Sequence, residues 1–256
     1  YLYKGRGFVR LIAFLVKAII NFDFKAIKLA FLVISKKRKD PFDTYSFQFN
    51  LQKKYNLEVM YFVLLADYGL NDKNISHNNS QFKILIKRLA DFAPIGIHPS
   101  YGSNMKKNKL SQEIKRLEEI QKRETTFSRQ HFLQLSLPKT YIDLIEAGIT
   151  DDYTMGYASH LGFRAGIASS FLFYNLDTEQ IMPITVHPFA ISDDILKFNL
   201  KLEPVDVVDN VAQIIDEVKQ VNGTLISLWH NDTFSNIDHW IGWRNVYEDM
   251  VKRIRL

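Results

Sequence analysis

Apolar and polar positions along the chain follow two rhythms that take turns. Helical spacing comes first. The run Phe8 to Ser35 reads as two amphipathic helices covering a core, and Phe47, Leu51 and Tyr55, four apart behind a capping Asp43, read as a third. Leu57 to Ala66 is then a continuous apolar run of the kind buried on both faces of a parallel sheet, ending at Asp67, Tyr68, Gly69. Asn71 to Ser80 is a polar loop. Gln81 to Phe92 returns to helical spacing, and Pro94 stops it before a strand that ends at His98. Lys109 to Glu124 is a charged helix with Ile114, Leu117 and Ile120 as its buried stripe, and a strand ending at Arg129 and His131 follows. Pro138 opens a helix that Gly148 ends, and Ile149 to Met155 is a short strand holding Asp151, Asp152 and Tyr153. An irregular stretch with Arg164 and the aromatic run Phe171 to Tyr174 precedes a strand from Ile181 to His187. A helix over Val205 to Val221, a strand over Thr224 to Trp229 and a helix over Trp240 to Ile254 complete the pattern.

This alternation predicts an α/β fold with a mostly parallel sheet, in one domain spanning residues 1–256. Four of the seven histidines, His98, His131, His187 and His230, sit where a short apolar run gives way to a loop. A closed or nearly closed β/α barrel explains that recurrence, because its strand ends converge on one mouth, where Asp67, His98, His131, Asp152, His187 and His230 would meet. Convergent imidazoles with nearby carboxylates form the ligand set of a hydrolytic divalent-metal site.

Composition narrows the chemistry. The chain has no cysteine, so a metal must be held by His, Asp, Glu or water, and the absence fits a reducing, cytoplasmic compartment. The formal charge of +5 looks like a nucleic-acid signal until its distribution is read: Lys17, Lys25, Lys28, Lys36, Lys37, Arg38 and Lys39 crowd into the first forty residues. No phosphate loop, zinc knuckle or aromatic–basic repeat accompanies them, which argues against a nucleic-acid partner. Lys17, Asp23, Lys25 and Lys28 also break the only candidate membrane segment, so no span is expected; a surface anchor is the alternative to core-covering helices.

The segments Ile97-His98-Pro99-Ser100-Tyr101, Ser128-Arg129-Gln130-His131-Phe132, Asp152-Tyr153-Thr154-Met155-Gly156-Tyr157 and Leu228-Trp229-His230-Asn231, in that order, resemble the motifs of the polysaccharide deacetylase (NodB-homology) family of carbohydrate esterases. The resemblance implies a distorted (β/α)7-type barrel that removes acetyl groups from an N-acetylated oligo- or polysaccharide with a divalent metal, zinc being the usual one. Carried over by position, His98 is a metal ligand, with Ser103 and His131 as further metal contacts. His230 is the general acid, Arg129 orients an acidic base, and Asp152 is the acidic residue that tunes the catalytic histidine. Tyr101, Tyr153, Arg164 and Trp229 are the substrate-contact candidates. Arg164 could instead pair with Asp151 or Asp152, and Trp229 could be a core aromatic.

Two departures from the family pattern matter. The position four after His98, commonly a second histidine ligand, is Gly102, and the first acidic motif is missing, because Tyr1-Leu2-Tyr3-Lys4-Gly5 begins where the segment after it should be. The expectation is therefore a barrel lacking its first strand, which an upstream segment of the same protein would supply. The competing expectation is a deacetylase-like carbohydrate-binding or scaffold module without metal. A barrel hydrolase working through paired carboxylates such as Asp67 and Asp152 is a third.

Overall fold

The computed structural model describes residues 8–255, with side chains from residue 11 onward. The segment Tyr1–Gly5, on which the missing-motif expectation rests, lies outside the described residues.

Helices α1 (Phe8–Ile20) and α2 (Phe24–Ile34) form a hairpin, with the Asp23 carboxylate capping α2 by accepting from the Ala26 N–H at 2.9 Å. The sequence reading had these helices covering a core. Instead they pack on each other around Ala30, Val33, Phe14 and Leu29, a cluster separate from the two main cores, and leave large apolar side chains outside. No helix among the described residues is long and apolar enough to cross a membrane. Helix α3 (Tyr45–Tyr55) follows and ends at Asn56 in the left-handed conformation.

The main sheet contains β1 (Tyr61–Val63), β2 (Ile95–Ile97), β3 (Phe127–Ser128), β4 (Asp151–Asp152), β5 (Phe171–Asn175) and β6 (Gln180–Val186), in the order β1-β2-β3-β4-β6-β5. Helices α4 (Ser80–Ala90), α5 (Lys107–Gln121) and α6 (Lys139–Glu146) make the first three crossovers. All pairs are parallel except β5 with β6. A second, parallel pair is β7 (Ile191–Ser192) with β8 (Ser227–Leu228), linked by α7 (Val207–Gln220); α8 (Trp243–Arg255) closes the described chain. The strands thus form an open six-stranded sheet and a separate pair, and a closed barrel is not seen among the described residues. The aromatic run Phe171–Tyr174 is what breaks the expected parallel order: it folds back beside β6 with alternating half-buried and exposed positions, as an antiparallel edge strand does.

The long apolar runs yield short strands because pairing stops where the neighbour stops; Leu65 and Ala66 stay buried beyond the end of β1. Mid-β2, a Cβ on Gly96 would meet the Phe62 ring at 2.6 Å and the Phe127 carbonyl at 2.7 Å, so glycine is what lets β2 lie between its neighbours. One core lies under the main sheet, with Ile97, Leu117, Tyr141, Leu144 and Ile184 fully enclosed. The other joins β7, α7 and α8 around Ile191, Val211 and Trp243.

Candidate active site

Register places the site. Ile97, Ser128, Asp152 and Val186 are cross-strand partners in one row. The next residues along, His98, Arg129, Tyr153 and His187, continue the ladder: each donates its backbone N–H to the preceding strand, at Val63, Ile97, Ser128 and Asp152. Side chains alternate along a strand, so these four form a row of their own at the strand ends, facing opposite to the Asp152 row.

His98 and His131 come together, with ring centroids 5.0 Å apart. The His98 Nδ1 donates to the Arg129 carbonyl, and the His131 Nδ1 donates to Asp72 Oδ1 at 2.9 Å. Each ring is thereby fixed in the tautomer whose Nε2 carries a free lone pair. Burial, reinforced by His131 nearby, pushes the His98 pKa down to about 3, so that imidazole stays neutral.

Asp72 also accepts from the backbone of Tyr101 at 2.9 Å, and the turn beneath is held by Glu113 of α5. Glu113 is buried; it takes the Ser100 N–H at 2.9 Å and the Ser100 hydroxyl at 2.6 Å. Its pKa is raised by that burial, against the pull of the Ser100 bonds. Ser103, a candidate metal contact by position, is a turn residue: its buried hydroxyl donates to the Ser100 carbonyl at 2.7 Å.

His230 differs from His98 in having a carboxylate behind its ring. Its Nδ1 lies 2.9 Å from Asp193 Oδ1, and its backbone N–H donates to Asp193 Oδ2 at 2.6 Å. Desolvation alone would lower the His230 pKa, but the Asp193 charge and hydrogen bond, helped by Asp194 and Asp232, raise it to about 9. For Asp193, desolvation opposes ionisation, and the His230 charge together with the hydrogen bonds from His230 and Thr233 outweighs it, so its pKa falls. The His230 side chain is still 44% exposed, so a proton it holds can leave outward. Asp193, Asp194 and His230 are also the described group whose donor atoms cluster closely enough for a metal ion. Asp193, however, already accepts from His230 twice, from the Asp194 N–H at 2.8 Å and from Thr233, which leaves it little coordinating capacity.

The carboxylate beside His230 is therefore Asp193 and not Asp152. Asp152 is fully buried and accepts from Ser128 Oγ at 2.6 Å and from the Thr154 N–H and hydroxyl at 2.9 and 2.8 Å. Strand alternation explains this, since Asp152 belongs to the buried row. Its pKa is raised by burial.

Arg129 is 4% exposed, lies over the rings of Phe62 and Phe189, and has an unbonded Nε. It makes no ion pair with any described residue; burial pulls its pKa down to about 10 while Asp152 pulls the other way.

Tyr153 stacks flat on His187 with centroids 4.3 Å apart, and His187 bonds Asp151 at 2.7 Å and Ser170 at 3.0 Å. Tyr101 meets Phe132 edge-on at 5.9 Å. Phe132 is 59% exposed, and it and Leu133 are non-glycine residues in the left-handed region, a strained presentation of an aromatic ring beside His131. Two substrate-contact candidates fall elsewhere. Trp229 packs among Phe234, Trp243 and Tyr247 and donates to Ser227 Oγ at 3.0 Å, and Arg164 is exposed and bonds neither Asp151 nor Asp152. Asp67, expected at the mouth, pairs with Arg116 at 2.7 Å.

Asp72, Asp193, Glu113 and Phe132 escaped the sequence reading. Only Asp193 had a readable signal, an acidic pair just after Phe189-Ala190-Ile191-Ser192; the strand expected over Ile181 to His187 matches β6, and β7, a separate strand, is the element the periodicity did not mark.

No protein-family model matches the chain, and no curated protein matches it. Among solved structures, the fold is shared with a Mycobacterium smegmatis protein described as a "putative polysaccharide deacetylase", with a TM-score of 0.54 over 79% of this chain and 68% of that one. At 12% sequence identity the likeness is one of fold, and what the two share is a mixed α/β architecture dominated by parallel strands.

Proposed function

We propose that the protein is a deacetylase-like hydrolase that removes acetyl groups from N-acetylated sugars with a divalent metal. The observation that carries this reading is the contrast between two strand-end histidines: His98, its Nδ1 on a carbonyl and His131 beside it, is kept neutral by burial, while His230 is held as a cation by Asp193.

His98 and His131 fit half of a metal site, two imidazoles each oriented by an acceptor on the far nitrogen. A divalent ion held there would polarise an acetyl carbonyl and acidify a water molecule. His230 holds the proton that the leaving nitrogen needs, and Asp193 keeps it there at neutral pH. The buried Arg129 guanidinium offers donors to a carboxylate that the described residues do not supply, which suits the orienting of an acidic base. The exposed Phe132 ring, met edge-on by Tyr101, suits the apolar face of a pyranose.

The test is acetate release from an N-acetylhexosamine oligomer by the full-length protein, expected to be lost on His230→Ala and on chelation. Full activity after both treatments overturns the reading. A metal-free carbohydrate-binding module is the second reading, favoured by the lack of a third close donor beside His98 and His131 among the described residues. Metal analysis separates the two: bound zinc supports the hydrolase, and no metal with retained oligosaccharide binding supports the module.

A further inference from the structure

We propose that the α1–α2 hairpin docks the protein on an anionic lipid surface. The hairpin turns its large apolar side chains outward. Ile12, Val16, Ile19 and Ile20 occupy positions i, i+4, i+7 and i+8 of α1, one stripe of the helix, and all four are exposed. The turn and α2 add Phe22 at 77% exposure, Phe24 at 68%, Phe31 at 67% and Ile34. The Phe22 and Phe24 rings lie 6.4 Å apart at the tip. Exposed apolar patches on soluble monomers seldom exceed about 300–600 Å², and larger ones mark a binding face.

Charge decides what kind of surface covers this one. Lys17, Lys25, Lys28, Lys36, Lys37, Arg38 and Lys39, all exposed, are interspersed with and follow the apolar residues along the chain, and none forms an ion pair with a described residue. Asp23, the one acidic residue between Leu11 and Lys39, is engaged in capping α2. Lysine is depleted from protein–protein interfaces, whereas lysine beside a stripe of Phe and Ile is the composition of helices that lie in the headgroup layer, where the stems snorkel and the ammonium groups meet phosphates. Neither helix, over its described residues, is long and apolar enough to span, and the docking proposed is peripheral.

The hairpin is also tied to the site. Just after it, the Phe42 carbonyl accepts from Asn231 Nδ2 at 3.2 Å and the Thr44 hydroxyl donates to the Asn231 carbonyl at 2.9 Å, so the segment leaving the hairpin holds the residue next to His230. Docking is nevertheless independent of the catalytic reading, because it is measured without substrate.

The experiment is co-sedimentation of the full-length protein with phosphatidylcholine vesicles, with and without phosphatidylglycerol. Binding is expected only to vesicles containing phosphatidylglycerol, weakening as salt rises. Replacing Phe22, Phe24 and Phe31 together by Asp should lower the partition coefficient by more than about tenfold, and K36Q with K37Q by about tenfold or more. Far-UV circular dichroism checks that these exposed substitutions leave the fold intact. Absence of the protein from the phosphatidylglycerol pellet overturns the proposal, as does equal sedimentation of the Phe variant. A wild-type dimer that the Phe substitutions dissociate overturns it in favour of a second copy of this chain.

Discussion

His98 and His230 sit at strand ends of the same molecule and hold opposite protonation states. His98 faces a carbonyl and another imidazole, and burial leaves it neutral, with its pKa near 3. His230 faces a buried carboxylate that overcomes the desolvation penalty and holds its pKa near 9. Residue type and strand-end position are shared; the partner on Nδ1 differs. A carbonyl behind a buried ring leaves His98 a neutral ligand, and a fully buried carboxylate that bonds both the ring and the backbone of His230 makes it a proton donor.

The largest effect expected from breaking this contrast is on turnover. His230→Gln removes the proton donor and should lower acetate release by about 10²–10⁴-fold. Asp193→Asn keeps the imidazole but removes what raises its pKa. The alkaline limb of the pH–rate profile, expected near pH 9 in the wild type, should therefore move toward the ordinary histidine value. An unmoved limb in Asp193→Asn would show that another group sets it.

On the His98 side the expected effect is on metal affinity. Asp72→Asn leaves both imidazoles in place but weakens the group that fixes the His131 tautomer, so zinc affinity should fall about 10–100-fold by competition titration. The same substitution should leave the alkaline limb where it is. If it shifts the limb as Asp193→Asn does, the two histidines are not the separate devices described.

Much of this was legible in the chain, and the illegible parts share a cause. The strand-end positions of His98, Arg129, His187 and His230 followed from apolar runs ending in loops, because pairing in a parallel sheet stops together at one edge. The partners did not follow. Asp72 lies in a loop with no periodicity, yet packing brings it against His131, 59 residues on. Asp152 matches by resemblance the position of an acidic residue that tunes the catalytic histidine, but strand alternation puts it in the buried row, opposite Tyr153 and away from His230. The hairpin was misjudged because amphipathic spacing shows that a helix has an apolar face and is silent about what covers it.

A smaller effect should come from the turn that carries Tyr101. Glu113→Ala leaves the buried Ser100 N–H without its acceptor, a loss of about 1–3 kcal/mol measurable by urea unfolding. Glu113→Gln keeps an acceptor for that N–H and should recover part of it. If the Ala variant is as stable as the wild type, the turn is held by Asp72 and the Ser100–Ser103 bonds alone.

The smallest expected effect is the pH dependence of stability due to His230, because solvent reaches its ring. Its folded pKa of about 9 lies above the ordinary value of 6.5. Below pH 6.5 the imidazole is protonated in both states, and the stabilisation by Asp193 is fully present. Between 6.5 and about 9 the folded state keeps a proton that the unfolded state has released, so stability falls as pH rises and the contribution is gone once the folded group deprotonates. His230→Gln should flatten this decline in urea midpoints measured across that window. A slope that persists undiminished in His230→Gln would assign the titration to another group and remove the thermodynamic half of the contrast with His98.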